Sequence, residues 1–74
     1  MPDTTLDCKG LACPMPIVKL AKTARAMVPG DTITAIADDP GFEPDVKAWA
    51  DAQGHQVTSL TEDDGVFTAV VTLR

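Results

Sequence analysis

At 74 residues, with six Lys or Arg against eleven Asp or Glu, the chain has a formal charge of −5 and a pI near 4.4. A core this small rarely supplies more than about 3–5 kcal/mol and leaves little material to enclose a deep cavity, so chemistry is expected on an exposed side chain. The acidic balance argues against direct nucleic-acid or anionic-membrane binding, and no apolar run approaches the ~20 residues of a membrane span.

The first expected element is a strand over Thr4–Cys8, with Leu6 turned inward. Lys9 and Gly10 break it. From Pro14 to about Val28 the apolar residues Ile17, Leu20, Ala21, Ala24, Met27 and Val28 recur at helical spacing, leaving Lys19, Lys22 and Arg25 outside. Pro29-Gly30-Asp31 ends that helix, and Thr32–Ala37 reads as a second strand with Ile33, Ala35 and Ala37 on one face. Asp38-Asp39-Pro40-Gly41 forms a turn. A second helix then runs from near Glu43 or Pro44 to Gln53, with Val46, Trp49, Ala50 and Phe42 inward and Gly54 as its stop. His55–Thr61 and Val66–Leu73 pair as antiparallel strands across a Glu62-Asp63-Asp64-Gly65 turn. The order βαβαββ predicts an α/β (α+β) two-layer sandwich, a four-stranded mixed sheet with two helices on one face. Residues 1–74 are expected to form one domain.

One stretch stands apart from this pattern: Gly10-Leu11-Ala12-Cys13-Pro14-Met15-Pro16. Proline is tolerated in the first helical turn, where backbone N–H groups lack intrahelical partners, so Pro14 and Pro16 place Cys13 at or beside a helix start. Free N–H groups and the helix dipole there favour an anion. Cys13 is therefore expected to be an activated surface thiol; thiolates in such settings have pKa values of about 3.5–7.5. The competing reading is a small buried hydrophobe, as free cysteines often are.

Cys8 lies five positions earlier, which is not the C-x-x-C redox spacing. It reads as a half-buried strand-end residue, with a resolving thiol for Cys13 or a second sulfur-accepting site as alternatives. Two cysteines and His55 would supply only three soft ligands where a structural zinc site takes four, so no metal is assigned. Asp38-Asp39 is ordinary turn chemistry, with Asp39 helping to start the second helix. Trp49 belongs to the apolar stripe. Four of the basic residues (Lys9, Lys19, Lys22 and Arg25) surround the Cys13 segment, either as a solvated face or as a patch for an anionic substrate or acidic partner. No secretory leader is recognised, so a reducing cytoplasmic setting is expected, where a structural disulfide would be unusual.

Leu6-Asp7 with Gly10-Leu11, then Cys13-Pro14-x-Pro16 and later Asp38-Asp39-Pro40, resembles the TusA (SirA-like) family of small sulfur carriers over essentially the whole chain. The resemblance implies the βαβαββ fold and a sulfurtransferase that acts as a persulfide carrier without an enclosed active site. Cys13 would accept sulfane sulfur from a cysteine desulfurase or rhodanese-type donor and pass it to a downstream acceptor protein. Pro14 and Pro16 would hold the helix start, and Asp7 and Gly10 would shape the loop presenting the thiol. No cofactor is implied. Uses in the family include tRNA 2-thiolation, molybdenum-cofactor synthesis and sulfur oxidation. Cys8 lies outside the signature. Alternatives from other classes are a non-catalytic interaction module and a Cys8/Cys13 dithiol redox protein.

Overall fold

The computed structural model describes residues 3–74; the first two positions of the domain expected over 1–74 lie outside the described residues. Six elements follow in the expected order: β1 (Asp3–Asp7), α1 (Met15–Arg25), β2 (Thr32–Ala37), α2 (Phe42–Gln53), β3 (Gln56–Asp63) and β4 (Val66–Thr72). The sheet order is β1-β2-β4-β3, with β1 parallel to β2 and the other pairs antiparallel. This is the mixed sheet that one helical crossover and one terminal hairpin produce.

Registers explain where the core sits. Leu6, Ala35, Ala69 and Leu60 form one row across the sheet, and Ile33, Val71 and Val57 form another. Side chains alternate faces along a strand, so these rows share one surface. Leu20 of α1 and Phe42, Val46 and Ala50 of α2 cover that surface, and all four are buried. Small alanines at positions 35, 37 and 69 of the sheet let the helices come close, while Phe42 and Leu20 fill the space between layers. Among the described residues, no helix is long and apolar enough to cross a membrane.

Several boundaries differ from the expected ones, each for a local reason. α1 ends at Arg25 rather than near Val28, and Ala26 N–H and Met27 N–H bond to Thr23 and Ala24 carbonyls in tightened turns. Pro29 disfavours helical geometry at the residue before it, and the buried Asp31 accepts the Val28 N–H at 3.0 Å, fixing the exit. α2 begins at Phe42, one or two residues before the expected start at Glu43 or Pro44, with Gly41 as its N-cap. β3 starts at Gln56 and runs on through Glu62 and Asp63, because the hairpin turns on Asp64 (φ 52°) and Gly65 (φ 82°) alone. Two successive positive φ values suit the right-handed twist of a hairpin. Trp49 is only partly buried; its ring lies 4.9 Å from that of His55.

Candidate functional site

Cys13 sits where the starts of α1 and α2 meet. The connection from β1 is held along its length. Cys8 N–H bonds to the Ile36 carbonyl at 2.6 Å, and Leu11 N–H returns to the Cys8 carbonyl at 3.2 Å. Asp7 Oδ1 accepts the Lys9 N–H at 3.1 Å, while the Asp7 carbonyl accepts Lys19 Nζ at 3.2 Å. Gly10 adopts φ +85°, a conformation costly for residues with a Cβ, and its N–H bonds to Asp38 Oδ1 at 3.0 Å. Asp7 and Gly10 thus lie in the loop that carries Cys13. Asp38, read from sequence as plain turn chemistry, ties that loop to the end of β2.

α1 then starts with Pro14 at its N-cap and Pro16 within the first turn; Pro16 is buried and Pro14 exposed. Cys13 precedes the cap and is exposed; the Cys13–Pro14 peptide is cis. The usual pool of free donors is missing here. Pro16 has no N–H, Met15 N–H bonds to the Ala12 carbonyl at 2.9 Å, and Ile17 and Val18 N–H groups both reach the Pro14 carbonyl. The prolines that mark the helix start also deplete the donors that would have favoured a thiolate.

What faces the sulfur instead is a carboxylate. Asp45, in the first turn of α2, accepts a hydrogen bond from Cys13 Sγ through its Oδ2. Asp39 lies beside it: its Oδ2 accepts the Gly41 N–H at 3.1 Å and its carbonyl accepts the Phe42 N–H at 3.0 Å, starting α2. Gly41 is the hub of this arrangement. A Cβ there would lie 3.0 Å from Asp39 Oδ2, 3.7 Å from Cys13 Cβ and 3.8 Å from Asp45 Oδ2.

The electrostatics correct the expectation of an acidified thiol. The Asp45 hydrogen bond, then partial desolvation of the sulfur, then the charges of Asp45 and Asp39 push the Cys13 pKa above the usual thiol range. These contributions act in one direction, toward the protonated thiol. Cys8 departs from expectation too: it is fully buried in the core rather than half-buried, and burial raises its pKa. Both cysteines are free.

His55 is not near this site. Its Nδ1 accepts the Arg74 N–H at 3.3 Å, and burial together with the Arg74 charge lowers its pKa. It lines an open groove of about 640 Å³ with Trp49, Arg25 and Met27, at the C-terminal end of α1. Among the described residues, no cluster of three or more His, Cys, Asp or Glu could hold a metal ion. A second open groove of about 370 Å³ runs along α1 from Pro14 past Ile17 and Val18 to Lys22 and Arg25. It begins next to Cys13 and brings two of the basic residues to its rim. Sequence reasoning missed Asp45 and Gly41. The available signal was an acidic residue one turn into a helix whose side chains lean back toward its start.

Comparison with known proteins gives the family and the fold. The family model for Sulfurtransferase TusA matches residues 4–73. A candidate sulfur carrier protein of Neisseria meningitidis serogroup A is 42% identical over 71 residues, covering 96% of each chain. One from Aquifex aeolicus is 39% identical over 69 residues; these are 93% of this chain but 35% of that longer protein. The crystal structure of a SirA-like protein from Desulfitobacterium hafniense matches with a TM-score of 0.80 at 26% identity, covering 93% of this chain and 95% of that one. The four-stranded mixed sheet with two helices is the fold of that neighbour, and the chain belongs to the TusA family of sulfur carriers.

Proposed function

We propose that Cys13 is the sulfur-accepting nucleophile of a persulfide relay. The observation that supports this reading most directly is that Cys13 alone of the two free cysteines is exposed, on a rim where two protein surfaces can approach it. The Cys13 thiolate attacks the terminal sulfur of a donor persulfide, the donor's S–S bond breaks, and the donor leaves as a thiolate that takes up a proton. The product is a Cys13 persulfide, which an acceptor protein discharges by the same exchange. A cysteine desulfurase or rhodanese-type protein is the donor, and the acceptor is a protein of a thiolation, cofactor-assembly or sulfur-oxidation route. In this reading Asp7, Gly10, Pro14 and Pro16 hold the presenting loop and helix start. Cys8, with no exposed surface, belongs to the core rather than to the relay.

Intact-protein mass spectrometry after incubation with a cysteine desulfurase and cysteine tests this. Wild type and Cys8→Ser should each gain one sulfur that reductant removes, and Cys13→Ser should gain none. A rhodanese with thiosulfate is the parallel donor arm. Uptake that persists in Cys13→Ser and disappears in Cys8→Ser would move the site to Cys8.

A further inference from the structure

The hydrogen bond between Cys13 and Asp45 joins residues 32 positions apart, and it works against the nucleophile it touches. Asp45 is fixed from below: its N–H bonds to the Gly41 carbonyl at 3.2 Å, and its neighbour Val46 is fully buried in the core. The backbone that carries this carboxylate is therefore fixed beside the sulfur by the packing of α2. The second acid, Asp39, is held by the Gly41 N–H, so it too stays close. Among the described residues, these are the charged groups that act on the Cys13 thiol, and both are acids.

We propose that Asp45 is a positioning residue that restrains Cys13, holding the sulfur of the unloaded carrier as a hydrogen-bonded thiol and releasing it before sulfur is taken up. The purpose of this restraint rests on the sulfur-carrier reading; the restraint itself is a property of two side chains. A protonated, hydrogen-bonded thiol is a poor nucleophile toward oxidants and electrophiles, so the idle carrier is protected although its sulfur is exposed. Removing the carboxylate raises the thiolate fraction. Each tenfold gain in thiolate costs only about threefold in intrinsic nucleophilicity, so reactivity at neutral pH rises on balance.

The test compares wild type with D45N, D45A, D45E and D39N, using two small probes that bring no protein surface. The first is the pH profile of Cys13 alkylation by iodoacetamide, read by peptide mass spectrometry, with thermal melting as a check of the fold. D45N and D45A should react several-fold faster than wild type at pH 7, with a midpoint at lower pH. D45E keeps the carboxylate and should stay closer to wild type, and D39N should shift less than D45N. The second probe is sulfur loading from glutathione persulfide. There Cys13 sulfur bonds to the terminal sulfur, the glutathione S–S bond breaks, and the proton shed by Cys13 ends on the departing glutathione thiolate. D45N should load faster than wild type. Unchanged alkylation midpoints in folded D45N and D45A would overturn the proposal. Slower loading of D45N would overturn it as well, by making Asp45 a proton acceptor. If no form of the protein takes up sulfur, the carrier reading fails while the alkylation profile still decides the role of Asp45.

Discussion

Cys8 and Cys13 are both harder to ionise than an ordinary thiol, but one is insulated by protein and the other is crowded by charge. Cys8 ends the β1 side of the loop, where its N–H continues the sheet bonding to Ile36 and its side chain enters the core. Five residues later the loop has crossed to the rim, and Cys13 faces Asp45 across the gap between helices. Burial is permanent on the timescale of the native state, whereas a hydrogen bond at the surface opens readily. The same direction of pKa shift therefore has different origins, mainly burial at Cys8 and first a surface carboxylate at Cys13.

Native-state labelling should separate the two most sharply. Iodoacetamide should modify Cys13 in the folded protein, while Cys8 should stay unmodified until denaturant unfolds the chain. Labelling of both at similar rates would break the comparison. Persulfide uptake should follow the same division, being lost completely in Cys13→Ser. Stability should follow the opposite one. Cys8→Ser places a hydroxyl in an apolar site and should cost about 1–3 kcal/mol in denaturant unfolding. Cys13→Ser should leave stability within about 0.5 kcal/mol, as surface changes usually do. Phe42→Ala, which hollows the core beneath α2, sets the upper mark at about 3–5 kcal/mol.

The contrast between the cysteines was only half visible in the sequence. Period and punctuation placed the elements well: Thr32–Ala37 is a strand with Ile33, Ala35 and Ala37 inward, and Gly54 stops α2 at φ 78°. Pro14 and Pro16 correctly located the start of α1. The sign of the Cys13 shift was misread because a generic helix start offers free N–H groups, and this one does not. That part was open to inspection, since a proline in the first turn removes a donor. The carboxylate was not, because Asp45 reaches Cys13 only through the packing of α2 against the sheet. Cys8 was placed in the strand by its β-branched neighbours; the turn at Lys9 and Gly10 gave no sign that its side chain would be fully enclosed.

Gly41 offers a way to sharpen the comparison without touching either cysteine. Its φ of −77° is open to any residue, so Gly41→Ala adds no backbone strain. The new Cβ would stand 3.0 Å from Asp39 Oδ2, which must give by a few tenths of an ångström. Gly41 is half-buried, so the usual cost of a point substitution, about 0.5–3 kcal/mol, bounds the change in melting. The Cys13 alkylation midpoint should nevertheless move, while protection of Cys8 stays as in wild type.

The smallest effect expected is also the one that separates charge from burial. Both thiols have folded-state pKa values above their unfolded values, so over that alkaline interval the folded protein holds more protons than the unfolded one. Stability is thus fully present below the unfolded thiol pKa and falls as pH rises through the folded values. Salt reaches the two cysteines differently. At 1 M the screening length is about 3 Å, which weakens the Asp39 and Asp45 charges at the exposed Cys13 and leaves the desolvation of Cys8 nearly untouched. Raising salt from 0.1 to 1 M should therefore lower the Cys13 alkylation midpoint modestly, the direct hydrogen bond preserving part of the shift. The alkaline loss of stability should persist in Cys13→Ser at high salt and be reduced in Cys8→Ala. If salt abolished that loss in Cys13→Ser, charge rather than burial would be acting on Cys8, and the distinction between the two thiols would fall.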